Sequence, residues 1–160
     1  WAIDTLSKFS VNFFGKFFWL ALFKEIQELL LSINISVPIA PGELIDKITI
    51  LEIKLERISA QTKLVNIKKE LDVLTSAYNE SIPISDKLKQ LMNELKSVNE
   101  DLWDIEDDIR SCERIEDFGD SFIKLARSVY ITNDKRMGIK RAINDLLGSE
   151  IVEEKSYVAY

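Results

Sequence analysis

The side chains with the clearest chemical potential sit where a buried helix stripe should be apolar. Phe122, Leu125, Val129, Thr132, Arg136, Ile139, Ile143 and Leu146 follow the three-then-four spacing of one helix face. Thr132 and Arg136 break that face with polar groups, Asn133 and Lys140 flank it, and Asn144 continues the flank. An upstream stripe from Leu88 to Ile109 is flanked in the same way by Asn99 and Glu106, with Trp103 and Arg110 one step further round. A third stripe, Leu44 to Ile58, has Lys47 and Lys54 beside it. Ammonium and guanidinium groups hold carboxylates or phosphates, and carboxamides orient them. Lys47, Lys54, Arg136 and Lys140, with Asn99 and Asn133, are therefore expected to form a cationic, amide-lined pocket for a small anion or phosphorylated sugar. Trp103, Glu106, Arg110 and Asn144 complete the candidate ligand-binding set. The competing reading is a satisfied polar layer that fixes helix register at some expense in stability.

Other chemistries are excluded or left without support. The chain has no histidine, which removes imidazole metal sites, Ser-His-Asp catalysis and imidazole acid–base work. Cys112 is the single cysteine, so no internal disulfide forms and a reducing, cytoplasmic setting is expected. A net charge of −6 argues against a general nucleic-acid binder, which needs a basic face. Between Asn99 and Asp117 nine acidic residues stand against two arginines. That run reads as a solvated face. A magnesium site of the kind found in helical nucleotide pyrophosphohydrolases is the alternative, but its acidic spacings are too common in helices to be specific. No catalytic residue, metal or cofactor is expected from these patterns.

The elements that must position these residues are helices. In a chain of 160 residues, 46% hydrophobic and 30% charged, one cored domain is expected. Pro41 precedes a first helix with Glu43 and Asp46 in its opening turn, where negative charge suits the dipole. Thr62 is the expected N-cap of a second helix with Leu64, Ile67, Leu71, Leu74 and Tyr78 on one face. Ser85 is expected to cap a long third helix with an unbroken heptad stripe. The fourth is expected to run from about Ser121 to Leu147, with Gly148 as its terminator. The fold class is all-α: an antiparallel up-down-up-down bundle of four main helices. That topology brings the flanking segments "INISVPIA" and "SEIVEEKSYV" to one end, where they are expected to pair as a short two-stranded ribbon. Residues 1–34, rich in Phe and Leu but broken by Lys16, read as an aromatic-rich helical extension, too short in its apolar run to span a membrane. Contact with a membrane surface or a partner is one expectation for it, and packing on the protein's own core another. Residues 35–160 are expected to form the bundle domain.

The segments "PGELIDKITILEIKLERI", "NEDLWDIEDDIRSCE", "DFGDSFIKLARSVYITNDKRMGIKRAIN" and "GSEIVEEKSY" resemble a family of small bacterial proteins known as domain of unknown function 6165. The resemblance covers about Val37 to Tyr157. It implies that Glu43, Asp46, Lys47, Lys54, Trp103 and Glu106 are characteristic polar positions. It implies the same for Asp107, Arg110, Asn133, Asp134, Arg136, Lys140 and Asn144. Gly138 departs from the small non-glycine residue the family pattern implies, which bears on local helix rigidity. The resemblance carries no assigned activity, and it implies an accessory role near surface-polysaccharide synthesis.

Three function classes follow. The first is an accessory or binding module for a small anionic ligand or a partner protein's acidic segment. The second is an enzyme that acts on an anionic metabolite by charge stabilisation alone. The third is a structural, oligomerising bundle. Sequence leaves the oligomeric state open.

Overall fold

The computed structural model of the protein describes residues 35–156, together with Leu22 and Lys24, which have helical backbone. The chain divides into two compact units, Trp1–Pro38 and Ile39–Tyr160. In the first, residues 35–38 have no regular secondary structure, and the expected N-terminal helix and its membrane or partner contacts fall largely outside the described residues. The second unit holds four helices: α1 (Pro41–Arg57), α2 (Gln61–Ser81), α3 (Asp86–Arg114) and α4 (Asp120–Leu147). Among the described residues no helix is long and apolar enough to cross a membrane.

The helix ends follow local chemistry. Pro41 opens α1 at a position where its missing N–H is harmless. Ser85 caps α3, its hydroxyl accepting from the Leu88 N–H at 3.1 Å. Gly148 ends α4 at φ 65°, the left-handed conformation that frees its N–H to reach the carbonyls of Asn144 and Asp145. The expected Thr62 cap is not made. Ala60 takes the cap position, and its carbonyl accepts from Lys63 and Leu64, which leaves Thr62 inside the first turn.

Packing departs from an even four-helix arrangement. α1 contacts all three other helices, whereas α2 lies along α1 and reaches α3 through side chains at its C-terminal end. There the Tyr78 hydroxyl donates to Met92 Sδ at 3.4 Å. α1 is consequently buried on two stripes. Leu44, Ile48 and Leu51 are the expected one; Gly42, Ile45, Thr49 and Ile53 form the second. On α2 only Ile67 is buried, and Leu64, Leu71, Leu74 and Tyr78 are half-covered. The apolar core of Ile45, Leu88, Leu91, Leu95 and Ile143 sits where α1 and α3 begin and α4 ends.

The polar contacts fix the directions of the helices. Gly42, Glu43 and Asp46 meet Asn144, Lys140 and Arg136 in that order, so α1 and α4 run antiparallel. Further along α1 the ties pass to α3: Lys96 reaches Glu52 and Glu56, and Arg57 pairs with Asp104.

The expected two-stranded ribbon is absent: no strand occurs among the described residues. Pro38 and Pro41 supply no N–H to a ladder. After α4, Ser149 Oγ both donates to the Ile151 carbonyl and accepts from the Ile151 N–H, curling the backbone locally. Side chains, not a backbone ladder, tie this tail to α4, through Lys140–Glu153 and Arg141–Glu154.

Two glycines on this scaffold behave oppositely. A Cβ on Gly42 would lie 2.6 Å from the Lys140 carbonyl oxygen and 2.9 Å from Asn144 Oδ1, so glycine is what allows α1 to touch α4. A Cβ on Gly138 would meet nothing within 4 Å, so this mid-helix glycine marks no close helix approach. Gly42→Ala is expected to lower stability by about 2 kcal/mol through overpacking. Gly138→Ala is expected to raise it by about 1 kcal/mol through helix propensity. Urea denaturation followed by circular dichroism checks both signs.

Candidate functional site

Above the apolar core the three helices α1, α3 and α4 share a polar layer centred on Asp46. Asp46 is buried, with 4% of its surface exposed, and a buried carboxylate requires compensating donors. Asn99 Nδ2 supplies one at 2.9 Å to Asp46 Oδ1 and also donates to Thr49 Oγ1 at 3.0 Å. Both amide protons are thus used, which fixes the orientation of the amide. Arg136 brings a positive charge, with Nε 3.8 Å from Asp46 Oδ1, within ion-pair range but too far for a hydrogen bond. Two buried atoms of this layer have no hydrogen-bond partner: Asn99 Oδ1, an acceptor, and Arg136 Nε, a donor. An unpaired buried polar group costs about 1–3 kcal/mol, so such a pair calls for explanation.

Beside the layer, α1, α3 and α4 enclose a cleft of about 470 Å³, lined by Ile50, Asn99, Leu102, Trp103, Glu106, Asp107, Arg110 and Arg136. Its volume lies in the range of small-molecule sites. The cleft opens because the ties of α1 to α4 end at Asp46, while its later ties run to α3. Trp103 donates its indole N–H to Asp107 at 2.9 Å, which holds the ring, and the Arg57 guanidinium lies 5.9 Å from the ring centroid. Arg110 is paired with Glu106 at 2.8 Å and also donates to the Glu106 carbonyl.

The sequence-derived set divides in three. Asn99, Trp103, Glu106, Arg110 and Arg136 converge on the cleft. Lys140 and Asn144 do not; they work at the first turn of α1. Asn144 Oδ1 accepts from the Gly42 N–H at 2.7 Å, a side-chain cap donated from another helix. Lys140, with 5% exposure, bonds Glu43 at 2.6 Å and Glu153 at 3.0 Å. The remaining three line neither place. Lys47 is exposed, since it follows Asp46 and so points about 100° away from the layer. Lys54 lies on the part of α1 tied to α3, and Asn133 is half-buried beside the layer without lining the cleft. The expected cationic pocket is also corrected: two carboxylates, Glu106 and Asp107, face two guanidinium groups, Arg110 and Arg136, so the lining charges balance.

Residues 35–160 match a family described as a family of unknown function, DUF6165. The chain belongs to the DUF6165 family. No curated protein and no solved structure matches it. The matched span takes in all four helices, so both the polar layer and the cleft are features of a DUF6165 domain.

Reasoning from helix stripes alone missed Asp46, Thr49 and Asp107 as members of the site. Asp46 and Glu43 read as first-turn dipole partners, and Thr49 carries no signal apart from its place four residues from Ile45. Two signals point to Asp46: the family resemblance, which marks it and Asp107 as characteristic polar positions, and the demand of a buried guanidinium for a carboxylate. Among the described residues no group of three or more Asp, Glu or Cys side chains converges to hold a metal ion.

The Lys140 cluster makes stability sensitive to pH at both ends. Burial lowers the Lys140 pKa, but the hydrogen bonds from Glu43 and Glu153 outweigh it and raise the value above 10.5. The same bond from Lys140 holds Glu153 below 4.5. Glu153 therefore contributes stability above its unfolded value that is lost as pH falls through its lowered one. Lys140 contributes stability below 10.5 that is lost as pH rises through its raised value. Urea midpoints are expected to fall at both extremes. The double change Glu43→Ala, Glu153→Ala strands a buried ammonium and is expected to cost about 3 kcal/mol in denaturant melts. Lys140→Met, which leaves only half-exposed carboxylates behind, is expected to change stability by less than about 1 kcal/mol.

Proposed function

We propose that this DUF6165 chain is an accessory binding module whose α1/α3/α4 cleft takes a phosphorylated sugar. The observation that carries the reading is the orphaned pair in the wall of the cleft, the buried acceptor Asn99 Oδ1 and the buried donor Arg136 Nε. A ligand hydroxyl or phosphate oxygen within reach of Arg136 completes its guanidinium. The held indole of Trp103 offers a flat apolar face to a sugar ring. Glu106, Asp107 and Arg110 offer acceptors and donors to its hydroxyls. The free, half-buried Cys112 supports a reducing compartment, the cytoplasm.

A second reading is favoured by a specific observation. Asn99 spends both amide protons inside the protein, on Asp46 and Thr49, which is what a structural register layer requires. Ligand response separates the two. If the layer is only structural, the wild-type protein gives no ligand response, and Arg136→Met lowers the melting temperature because it strands the buried Asp46 carboxylate.

Differential scanning fluorimetry with a panel of hexose phosphates, the parent hexoses and inorganic phosphate tests the binding reading. At a hundredfold excess over Kd, binding adds about 2.7 kcal/mol, a rise of several degrees. That rise is expected for a hexose phosphate and is expected to vanish in Arg136→Met and in Trp103→Ala. A flat response of the wild-type protein to the whole panel overturns the reading.

A further inference from the structure

The far end of the α3/α4 hairpin lacks a core. From Trp103 through Ile131 no residue is buried, although both helices keep their apolar stripes through this region. The last ion pair between α1 and α3 joins Arg57, the final residue of α1, to Asp104, and α3 runs on from Ile105 to Arg114. At 1.5 Å per residue that is about 15 Å of two-helix hairpin. Ile105, Ile109, Cys112, Phe122, Leu125 and Val129 are only half-covered there. Ile115, Phe118 and Ile123 are 72%, 51% and 53% exposed. Phe118 is stacked edge-on against Phe122, with ring centroids 5.3 Å apart, so the exposed tip is ordered by its own aromatics. Two helices alone cannot cover a heptad seam, and contiguous exposed apolar surface on a folded domain marks an interaction site.

Charge selects the occupant. Glu100 to Asp117 carries the nine acidic side chains against Arg110 and Arg114, and α4 as far as Ile131 adds Asp120, Lys124 and Arg127, a balance of −10 + 4 = −6. Glu106, Asp108 and Glu113 border the seam directly, one position before or after an apolar stripe residue. Anionic lipid and nucleic acid are repelled by such a net-acidic surface, and a second copy, net acidic over the same stretch, matches it less well than a basic helix does. We propose that the distal α3/α4 hairpin is a docking surface for a basic amphipathic helix of a partner protein. The apolar stripe of that helix covers Ile109, Phe122, Leu125 and Val129, and its flanking Lys or Arg side chains meet Glu113 and Asp108. Such a helix supplies the third layer that α1 supplies elsewhere, and it rests on none of the residues that bind ligand in the cleft except the rim carboxylate Glu106.

The probe is a synthetic 18-residue Leu/Lys peptide with its leucines on one helical face, added to the full chain and followed by fluorescence anisotropy. Controls are a shuffled peptide of the same composition and the Leu/Glu counterpart. The Leu/Lys peptide is expected to bind, more weakly as salt is raised, and to slow amide exchange in residues 105–131. Phe118→Asp and the pair Glu113→Lys, Asp108→Lys are each expected to weaken binding at least tenfold while the far-ultraviolet circular dichroism stays unchanged. Equal binding of the shuffled peptide overturns the proposal, as does binding unaffected by both variants. A wild-type dimer in sedimentation that Phe118→Asp converts to monomer also overturns it, by assigning the face to a second copy.

Discussion

A single buried carboxylate organises this domain. Asp46 lies in the second turn of α1, where three helices meet, and its charge must be met from the helices around it. Asn99 of α3 meets it with a hydrogen bond and Arg136 of α4 with a positive charge. The demand is directional, so it sets both the height and the rotation at which α1 seats between its neighbours. One turn earlier, Gly42 lets the backbones touch, and Asn144 accepts the N–H released there. Apolar burial supplies most of the driving force in such a helical domain, but it is indifferent to small slips along a heptad stripe. The polar contacts remove that indifference.

Along its axis the unit changes character in steps. A close-packed apolar end gives way to the polar layer, then to the cleft, and finally to a hairpin with no buried residue. The sequence of steps follows from lengths and tilts. α1 has 17 residues against 29 in α3 and 28 in α4, so it cannot accompany them to the tip. Its second half also transfers its ties from α4 to α3. The cleft is the space left by that transfer, and the bare hairpin is the length left over.

Helix existence and most termini were legible in the sequence, because they depend on local rules: Pro41 at a start, Ser85 as a cap, Gly148 as a stop. The polar identity of the site was legible too, since Arg136 and Asn99 stand where a stripe should be apolar. Which residues actually meet was less so. Spacing gives an angle around a helix, and an angle says nothing about how one helix crosses another. Spacing thus assigns Lys47 and Lys54 to a pocket that α1 turns away from. Lys140 and Asn144, one and two turns beyond Arg136, fall in with the first turn of α1 and the tail instead. α2 differs more: its stripe is sound, but apart from the contacts of its C-terminal end with α3 only α1 supplies its groove, so most of its leucines stay half-covered. The ribbon does not form for a local reason, because Ser149 bends the segment expected to pair.

The hydrogen bond from Gly42 to Asn144 joins residues 102 positions apart in sequence. An α3/α4 hairpin can assemble from neighbours across the short link between Arg114 and Asp120, but α1 has to wait for a surface that is synthesised almost last. Loop closure over that span is an entropic barrier that local helix formation does not lower. On a ribosome, the first helix of this domain therefore emerges long before its seat exists, with its two apolar stripes and the Asp46 carboxylate still uncovered. Its docking is the step that joins the α1/α2 pair and the α3/α4 hairpin into one cooperative unit.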